Sequence, residues 1–317
     1  MSAGHPALSK VAPRVAPDAT PAATGAAPKT TDGPGGETLD DHHYQLWADW
    51  LERQTGVHIH DHREPFVRRA LARRLAELNL GGEDYCAGLL HAGANSTESQ
   101  HLVDWLLIKE TTFFRHRESH EFVRQVVHRH ARESAAGLNF WSVGCATGEE
   151  AYSLALDARA GFEAAGQSAN FAVIGTDISR KAVDLARRGQ YPIQVLRADD
   201  RQRLAAVLEP VGSGQFRFAA AIRDRLAFFT DNLVAQRSGF FPEGVDIIFC
   251  QNLLIYFRRW RRHETLNFLA RRLKPGGYLI VGPGECTDWE PAGLEKVRWP
   301  SVAAYRRPLD SEVSAGD

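Results

Sequence analysis

The 317-residue chain has few cysteines, no long apolar run and no excess of charge of either sign, and each shortage removes a class of protein. Cys86, Cys145, Cys250 and Cys286 fall at no disulfide-framework or metal-ligand spacing. They read as buried thiols of a reducing, cytoplasmic compartment. Apolar stretches such as Val245–Cys250 and Tyr278–Val281 fall far short of the roughly 20 residues that a membrane helix needs. The N-terminus lacks an apolar signal-peptide core, so no membrane insertion is expected. With 38 Lys and Arg against 39 Asp and Glu, the formal net charge is −1, which argues against a strongly basic nucleic-acid binder. Residues 1–39 lack aromatic side chains, the first being Tyr44, and hold six of the fifteen prolines. They read as a disordered tail, with a second tail at 309–317.

The full chain is 44% hydrophobic and long enough for two domains. From Asp40 to about His130 the periodicity is helical. Leu46, Trp50 and Leu51 line a first helix; Phe66, Ala70, Leu71 and Leu75 line a second; Tyr85–Ala92 and Glu98–Lys109 supply two more. The second helix carries Arg68, Arg69, Arg73 and Arg74, which the spacing clusters on an exposed flank. That flank is either a solvated face or a docking surface for an acidic protein. From Leu138 onward strands and helices alternate, as in a mostly parallel, doubly wound sheet. Strands are expected at Phe140–Val143, Phe171–Thr176, Leu226–Thr230, Val245–Cys250 and Tyr278–Val281. Helices are expected at Glu149–Ala160, Ser179–Arg188 and Arg262–Leu273, with Lys274-Pro-Gly-Gly277 as a turn into the last strand. The expected organisation is a helical domain over 40–130 and a Rossmann-like domain over 131–308. An inserted subdomain over 191–225 has a helix near Arg201–Leu208 and a β-hairpin near Phe216–Leu226.

Chemistry concentrates where the first strand meets its helix, at Ser142-Val-Gly-Cys-Ala-Thr-Gly-Glu-Glu150. Gly144 and Gly148 let backbone approach a ligand, and the helix start aims free N–H groups at the same place. A P-loop would put Gly-Lys-Ser/Thr here; the chain has Glu149 and Glu150 instead. Two carboxylates repel a diphosphate and suit a ligand with a cationic end, such as the ammonium and sulfonium of S-adenosylmethionine. Asp177, at the end of the second strand, stands where a doubly wound sheet presents an acid to ribose hydroxyls. The lesser alternative is an N-cap of the helix Ser179–Arg188. The fold class that follows is α/β: a Rossmann-like, doubly wound domain suited to an adenosine cofactor without phosphates, with an N-terminal helical bundle and a small inserted β-hairpin subdomain.

Thr111-Thr-Phe-Phe-Arg115, Thr-Gly-Glu-Glu-x-Tyr-Ser153, Thr176-Asp-Ile178, Phe249-Cys-Gln-Asn-Leu-Leu-Ile-Tyr-Phe257 and Leu273-Lys-Pro-Gly-Gly277 occur in that order. This set resembles the CheR family of chemotaxis methyltransferases over about residues 40–308. The turn is similar to the Ser-Val-Gly-Cys turn of the type IV pilus-associated, PilK-type members. The resemblance implies methylation of glutamate side chains on the cytoplasmic helical region of chemoreceptors, with S-adenosylmethionine as cofactor and S-adenosylhomocysteine as product. It implies that Thr111 and Arg115 reach onto the cofactor, that Glu150 lies beside its methionine portion and Asp177 holds the ribose, with the backbone of Gly144 among the cofactor-binding positions. Asn232 and Leu233 would lie beside the adenosine, and Gln251 and Asn252 would complete the site. Arg115 and Tyr256 would flank the methyl as catalytic residues, and the Arg68/Arg69/Arg73/Arg74 helix would face the receptor. The chain departs from the family at Gln251, where Arg is usual, at Lys109, where some members have Asn, and at Gly282-Pro-Gly-Glu285, where His-Ser-Glu is the more usual ending. Loss of that Arg leaves open a cofactor-binding sensor or scaffold. A nucleic-acid amino-methyltransferase is disfavoured, since Asn252-Leu-Leu-Ile-Tyr256 lacks the Pro-Pro pair that binds an exocyclic amine.

Overall fold

Ten strands and ten α-helices form around three hydrophobic cores in a computed structural model that describes residues 40–92, 96–106, 110–235, 242 and 244–309. Residues 1–39 and 310–317, and Lys109, lie outside the described residues. The first four helices are α1 Asp41–Thr55, α2 Glu64–Leu78, α3 Gly82–Ala92 and α4 Thr97–Leu106. Asp40 caps α1 by accepting the His43 N–H at 2.8 Å. Tyr44, Trp47, Trp50 and Leu51 of α1 pack on Val67, Leu71 and Leu75 of α2 and on Leu89, Leu102 and Leu106. Phe66, expected in this core, is instead 55% exposed. Val67, Leu71 and Leu75 make the i, i+4, i+8 seam, and Phe66 falls off its edge.

The rest of the chain runs α5 Arg117–Glu133, β1 Leu138–Val143, α6 Glu149–Ala164, β2 Phe171–Asp177 and α7 Arg180–Arg188. Next come β3 Gln190–Pro192, α8 Ala198–Leu204, β4 Leu208–Pro210, β5 Gln215–Phe218, α9 Ala220–Arg223 and β6 Leu226–Thr230. It closes with β7 Val245–Cys250, α10 Arg259–Arg272, β8 Leu273–Val281, β9 Glu295–Val297 and β10 Ala303–Arg306. The main sheet has the order β6-β2-β1-β7-β8-β10-β9, parallel through β8 and antiparallel beyond it. Alternate residues of β1 serve the two faces: Leu138 and Phe140 join the core under α5 and α6, while Trp141 and Val143 join the core under α10. The four cysteines are buried and free.

Three boundaries differ from expectation. The sequence boundary at His130 falls inside α5, whose Phe122, Val123, Val126 and Val127 share a core with Phe140 and Phe162 of the sheet domain. Burial of such side chains contributes about 1.5–3 kcal/mol each, so this helix belongs with the sheet. The inserted hairpin is β4–β5, and with β3 it forms a separate antiparallel sheet of order β3-β5-β4. Leu226, expected in that hairpin, begins β6 of the main sheet. Lys274-Pro-Gly-Gly277 lies within β8 as an irregularity: the register passes from Val245↔Leu273 to Ile247↔Tyr278, two residues on β7 against five on β8.

Candidate active site

At the carboxyl ends of β1, β2 and β7 a cleft opens where open α/β sheets bind ligands. It encloses about 1030 Å³, its solvent-open mouth included, and Thr111, Arg115, Gly144, Glu150, Asp177, Gln251, Asn252 and Tyr256 all line it. Of the residues expected to hold cofactor, Asn232 and Leu233 stand apart. Asn232 lines a neighbouring cavity that meets the cleft at Ile178. Its Nδ2 donates to the Gln54 carbonyl at 2.6 Å and its Oδ1 accepts the Val234 N–H at 3.0 Å. Leu233 packs beside the core under α10.

The glycine turn is held by backbone bonds from Gly144 and Cys145 to the Thr176 carbonyl, at 2.8 and 3.0 Å. Gly144 has φ +72°, and a Cβ on it would meet Leu253 at 3.1 Å, so this residue brings backbone to the cleft. Gly148 does something else. At φ +99° a Cβ would strike Ala186 at 2.8 Å and the Tyr191 hydroxyl at 2.9 Å, so its small size serves packing rather than the ligand. Tyr191, entering the inserted subdomain, donates to the Thr147 carbonyl at 2.8 Å and fastens the turn from behind.

The two acids after the turn part company. Glu149 is buried and accepts the Thr147 hydroxyl at 2.6 Å, outside the cleft. Glu150 lines the cleft and accepts the Ser142 hydroxyl at 2.7 Å. Burial pushes its pKa up to about 8; the Glu285 carboxylate adds to the rise, while the Ser142 bond and Arg115 oppose it. Asp177 accepts the Ala146 N–H at 2.9 Å and the Ser179 N–H at 2.8 Å. Ser179, not Asp177, caps α7, accepting the Ala182 N–H at 3.1 Å.

Thr111-Thr-Phe-Phe-Arg115 joins the helical domain to α5 and is pinned by its aromatic pair. Phe113 meets Tyr191 edge-on at 5.1 Å and Phe218 at 5.7 Å. Phe114 adopts φ +51°, donates its N–H to Ser153 Oγ at 3.0 Å and packs on His120 at 5.4 Å. A left-handed bulky residue is strained and persists only where its surroundings over-determine it. Arg115 is thereby presented to the cleft, its Nη1 donating to the Glu110 carbonyl at 2.9 Å. The segment after α1 pairs Val57 with Phe257, and the His58 N–H donates to the Tyr256 carbonyl at 2.8 Å.

Gln251 is buried, and its Nε2 donates to Ser119 Oγ at 2.9 Å and the Val281 carbonyl at 3.1 Å. In place of a fixed cation it therefore supplies a bridge between α5 and the ends of β7 and β8. Sequence reasoning missed Arg63, His116 and His120 in the cleft lining, and missed the role of Glu285. Glu285 is buried and accepts N–H groups of Asn252, Ile255 and Gly282 at 3.1, 3.1 and 2.8 Å. Its one signal was its place four residues after Val281, in the run noted only for its departure from pattern.

The four arginines of α2 do not form one exposed cluster. Arg68 bonds Glu64 at 2.8 Å and Asp41 at 2.9 Å and lies over the Tyr44 ring at 3.9 Å. Arg74 bonds Glu98 through Nε at 3.0 Å and Nη2 at 2.5 Å, and Tyr85 donates to the same carboxylate at 2.7 Å. Arg69 and Arg73 are exposed, one turn apart beside Phe66, with Arg73 in an exposed ion pair with Glu77 at 3.5 Å. The expectation fails for Arg68 and Arg74 because spacings of one and five turn them toward neighbouring acids.

A glycine turn after β1, an acid after β2 and an antiparallel edge on a parallel sheet define a class I S-adenosylmethionine-dependent methyltransferase. The cleft suits that cofactor: a desolvated acid at Glu150 for the ammonium, a second acid at Asp177, and no cationic cradle for phosphate at the turn. The family model described as CheR methyltransferase, SAM binding domain, matches residues 109–301, and the CheR methyltransferase all-alpha domain matches 42–107. The chain belongs to the CheR methyltransferase family, and S-adenosylmethionine is its cofactor. It is 30% identical to the chemotaxis protein methyltransferase of Salmonella typhimurium over 78% of this chain and 84% of that protein. The Escherichia coli chemotaxis protein methyltransferase is 30% identical over 78% of this chain and 85% of its own. The probable biofilm formation methyltransferase WspC of Pseudomonas putida is 31% identical over 83% of this chain and 61% of that protein. No described helix is long and apolar enough to cross a membrane.

Proposed function

We propose that the protein transfers a methyl group from S-adenosylmethionine to glutamate side-chain carboxylates on the cytoplasmic helical region of chemoreceptors, forming methyl esters that adapt sensory signalling. The observation that carries this reading is that Arg115 and Tyr256 line the same cleft as the cofactor-binding turn and Glu150. The names of the relatives agree with it.

The chemistry asks little of the protein beyond alignment. When bound, S-adenosylmethionine supplies an electrophilic methyl group on a sulfonium. A glutamate with a pKa near 4.3 is ionised at neutral pH and needs no general base before attack. Aligning two bound reactants contributes roughly 7–11 kcal/mol. The cost is desolvation of an anion. Arg115, with one nitrogen fixed on the Glu110 carbonyl, has further donors with which to orient the acceptor carboxylate. Tyr256, held through its own carbonyl by the helical domain, shapes the pocket around the methyl. Arg69 and Arg73 on α2 suit an acidic receptor surface.

Incubation of the purified protein with methyl-labelled S-adenosylmethionine and a membrane lysate of its source tests the proposal. Label on a receptor-sized membrane protein, released by alkali as methanol, is the expected result. Bound cofactor without any transfer would refute it.

A further inference from the structure

The cleft contains an imidazole that the methyl-transfer scheme does not use. His116 precedes α5, lines the cleft, and places Nε2 2.9 Å from Oδ1 of Asn252. Asn252 is an unusual residue to find so fixed. Its backbone is left-handed at φ +60°, and its N–H is taken by Glu285, which also holds the N–H groups of Ile255 and Gly282. Its neighbour Gln251 spends its amide on Ser119 and Val281. With the backbone clamped, the remaining freedom of Asn252 is the orientation of its side-chain amide. A side-chain amide has one acceptor end and one donor end, and reversing it exchanges a donor for an acceptor at the same place. His116 takes the acceptor end. Nδ2 has no partner among the described residues, and Asn252 lines the same cleft as Gly144, Glu150 and Arg115.

The amino-acid end of S-adenosylmethionine carries an ammonium and a carboxylate. Glu150 attracts the first and repels the second, so the carboxylate needs a donor beside that acid. We propose that His116 is a positioning residue for the cofactor: its Nε2–H fixes Oδ1 of Asn252 and thereby presents Nδ2 to the carboxylate of the bound adenosyl amino acid. The reversed amide would set an oxygen against that carboxylate, a repulsion in place of a charge-assisted bond. The inference rests on the cofactor site and not on the identity of the methyl acceptor. A failure to find a methylated glutamate would therefore leave it standing or falling on its own measurement.

That measurement is calorimetric binding to the full chain of two ligands, S-adenosylhomocysteine and 5′-methylthioadenosine, which lacks the amino-acid carboxylate. A hydrogen bond to a charged group is worth enough that its loss weakens binding about tenfold or more. His116→Ala is expected to weaken S-adenosylhomocysteine by about that factor and to leave methylthioadenosine unchanged. Asn252→Ala behaves alike, and the double variant binds no more weakly than Asn252→Ala alone, since the two residues act through one bond. His116→Gln, which keeps a side-chain N–H donor, restores most of the affinity. Equal losses for both ligands would reveal a merely structural role and overturn the proposal. So would unchanged S-adenosylhomocysteine affinity in His116→Ala, or losses that multiply in the double variant.

Discussion

Cofactor affinity should rise about tenfold per pH unit below pH 8, because Glu150 must ionise to receive the ligand's ammonium. Burial at the base of the cleft raises its pKa to about 8, and the Ser142 hydroxyl at 2.7 Å offsets only part of that rise. At pH 7 roughly ten molecules in eleven then hold Glu150 protonated. Binding a cation favours the ionised form, so association at pH 7 releases about 0.9 proton and forgoes about 1.4 kcal/mol relative to the fully ionised site. Titration calorimetry with S-adenosylhomocysteine in buffers of different ionisation enthalpy reads the proton release directly. Glu150→Gln removes both the proton and the pH dependence: its affinity should approach that of the parent protein near pH 6 and fall increasingly short of it toward pH 8. Proton release near zero at pH 7, or a pH dependence that survives in Glu150→Gln, would refute the reasoning. The same shift has a stability counterpart. A carboxyl whose folded pKa lies above its unfolded value contributes stability that is complete below about pH 4.5 and lost as pH rises through about 8, so ligand-free protein should gain on Glu150→Gln as pH falls through that window.

Arg115→Ala should lower kcat/KM for receptor methylation about tenfold to a hundredfold, the value of a hydrogen bond to a charged group; methyl-transfer kinetics with intact fold by circular dichroism check it. Charge reversal at Arg69 and Arg73 should raise the KM for receptor while leaving S-adenosylhomocysteine affinity alone, and the effect should fade with added salt. Arg74→Ala should do the opposite, lowering thermal stability by about 1–3 kcal/mol because it strips the Glu98 carboxylate of its bidentate partner. Gly148→Ala should cost roughly 2 kcal/mol or more of stability, since it combines a left-handed backbone with contacts of 2.8–2.9 Å to Ala186 and Tyr191; thermal melting against the parent protein measures it.

The sheet was legible where burial imposes a period on the sequence. Leu226–Thr230 and Val245–Cys250 match their strands at both ends, and the turn with Glu150 and Asp177 announced the cleft without any coordinates. The inserted sheet was harder to read, because three strands of three or four residues carry too little alternation to show where one ends. Helix spacing placed Arg68 and Arg74 on α2 but could not reveal Asp41 and Glu98, which reach them from other helices. His116 and Glu285 were beyond sequence reasoning for a related reason. Each acts on Asn252 from 136 or 33 residues away, through a left-handed backbone that no local pattern demands.

The fastening of the cleft bears on how the chain can be divided. The helical domain is tied to the sheet domain at two points near the cleft, through the Gln54 carbonyl and Asn232 and through His58 and Tyr256. The two family segments, 42–107 and 109–301, look separable as stretches of sequence, yet neither owns a whole cleft. A transplant of the sheet domain onto a foreign partner would carry every acid and glycine of the turn and still lose Val57 and Arg63 from the cleft lining together with both ties. The cleft is therefore a property of the two segments together.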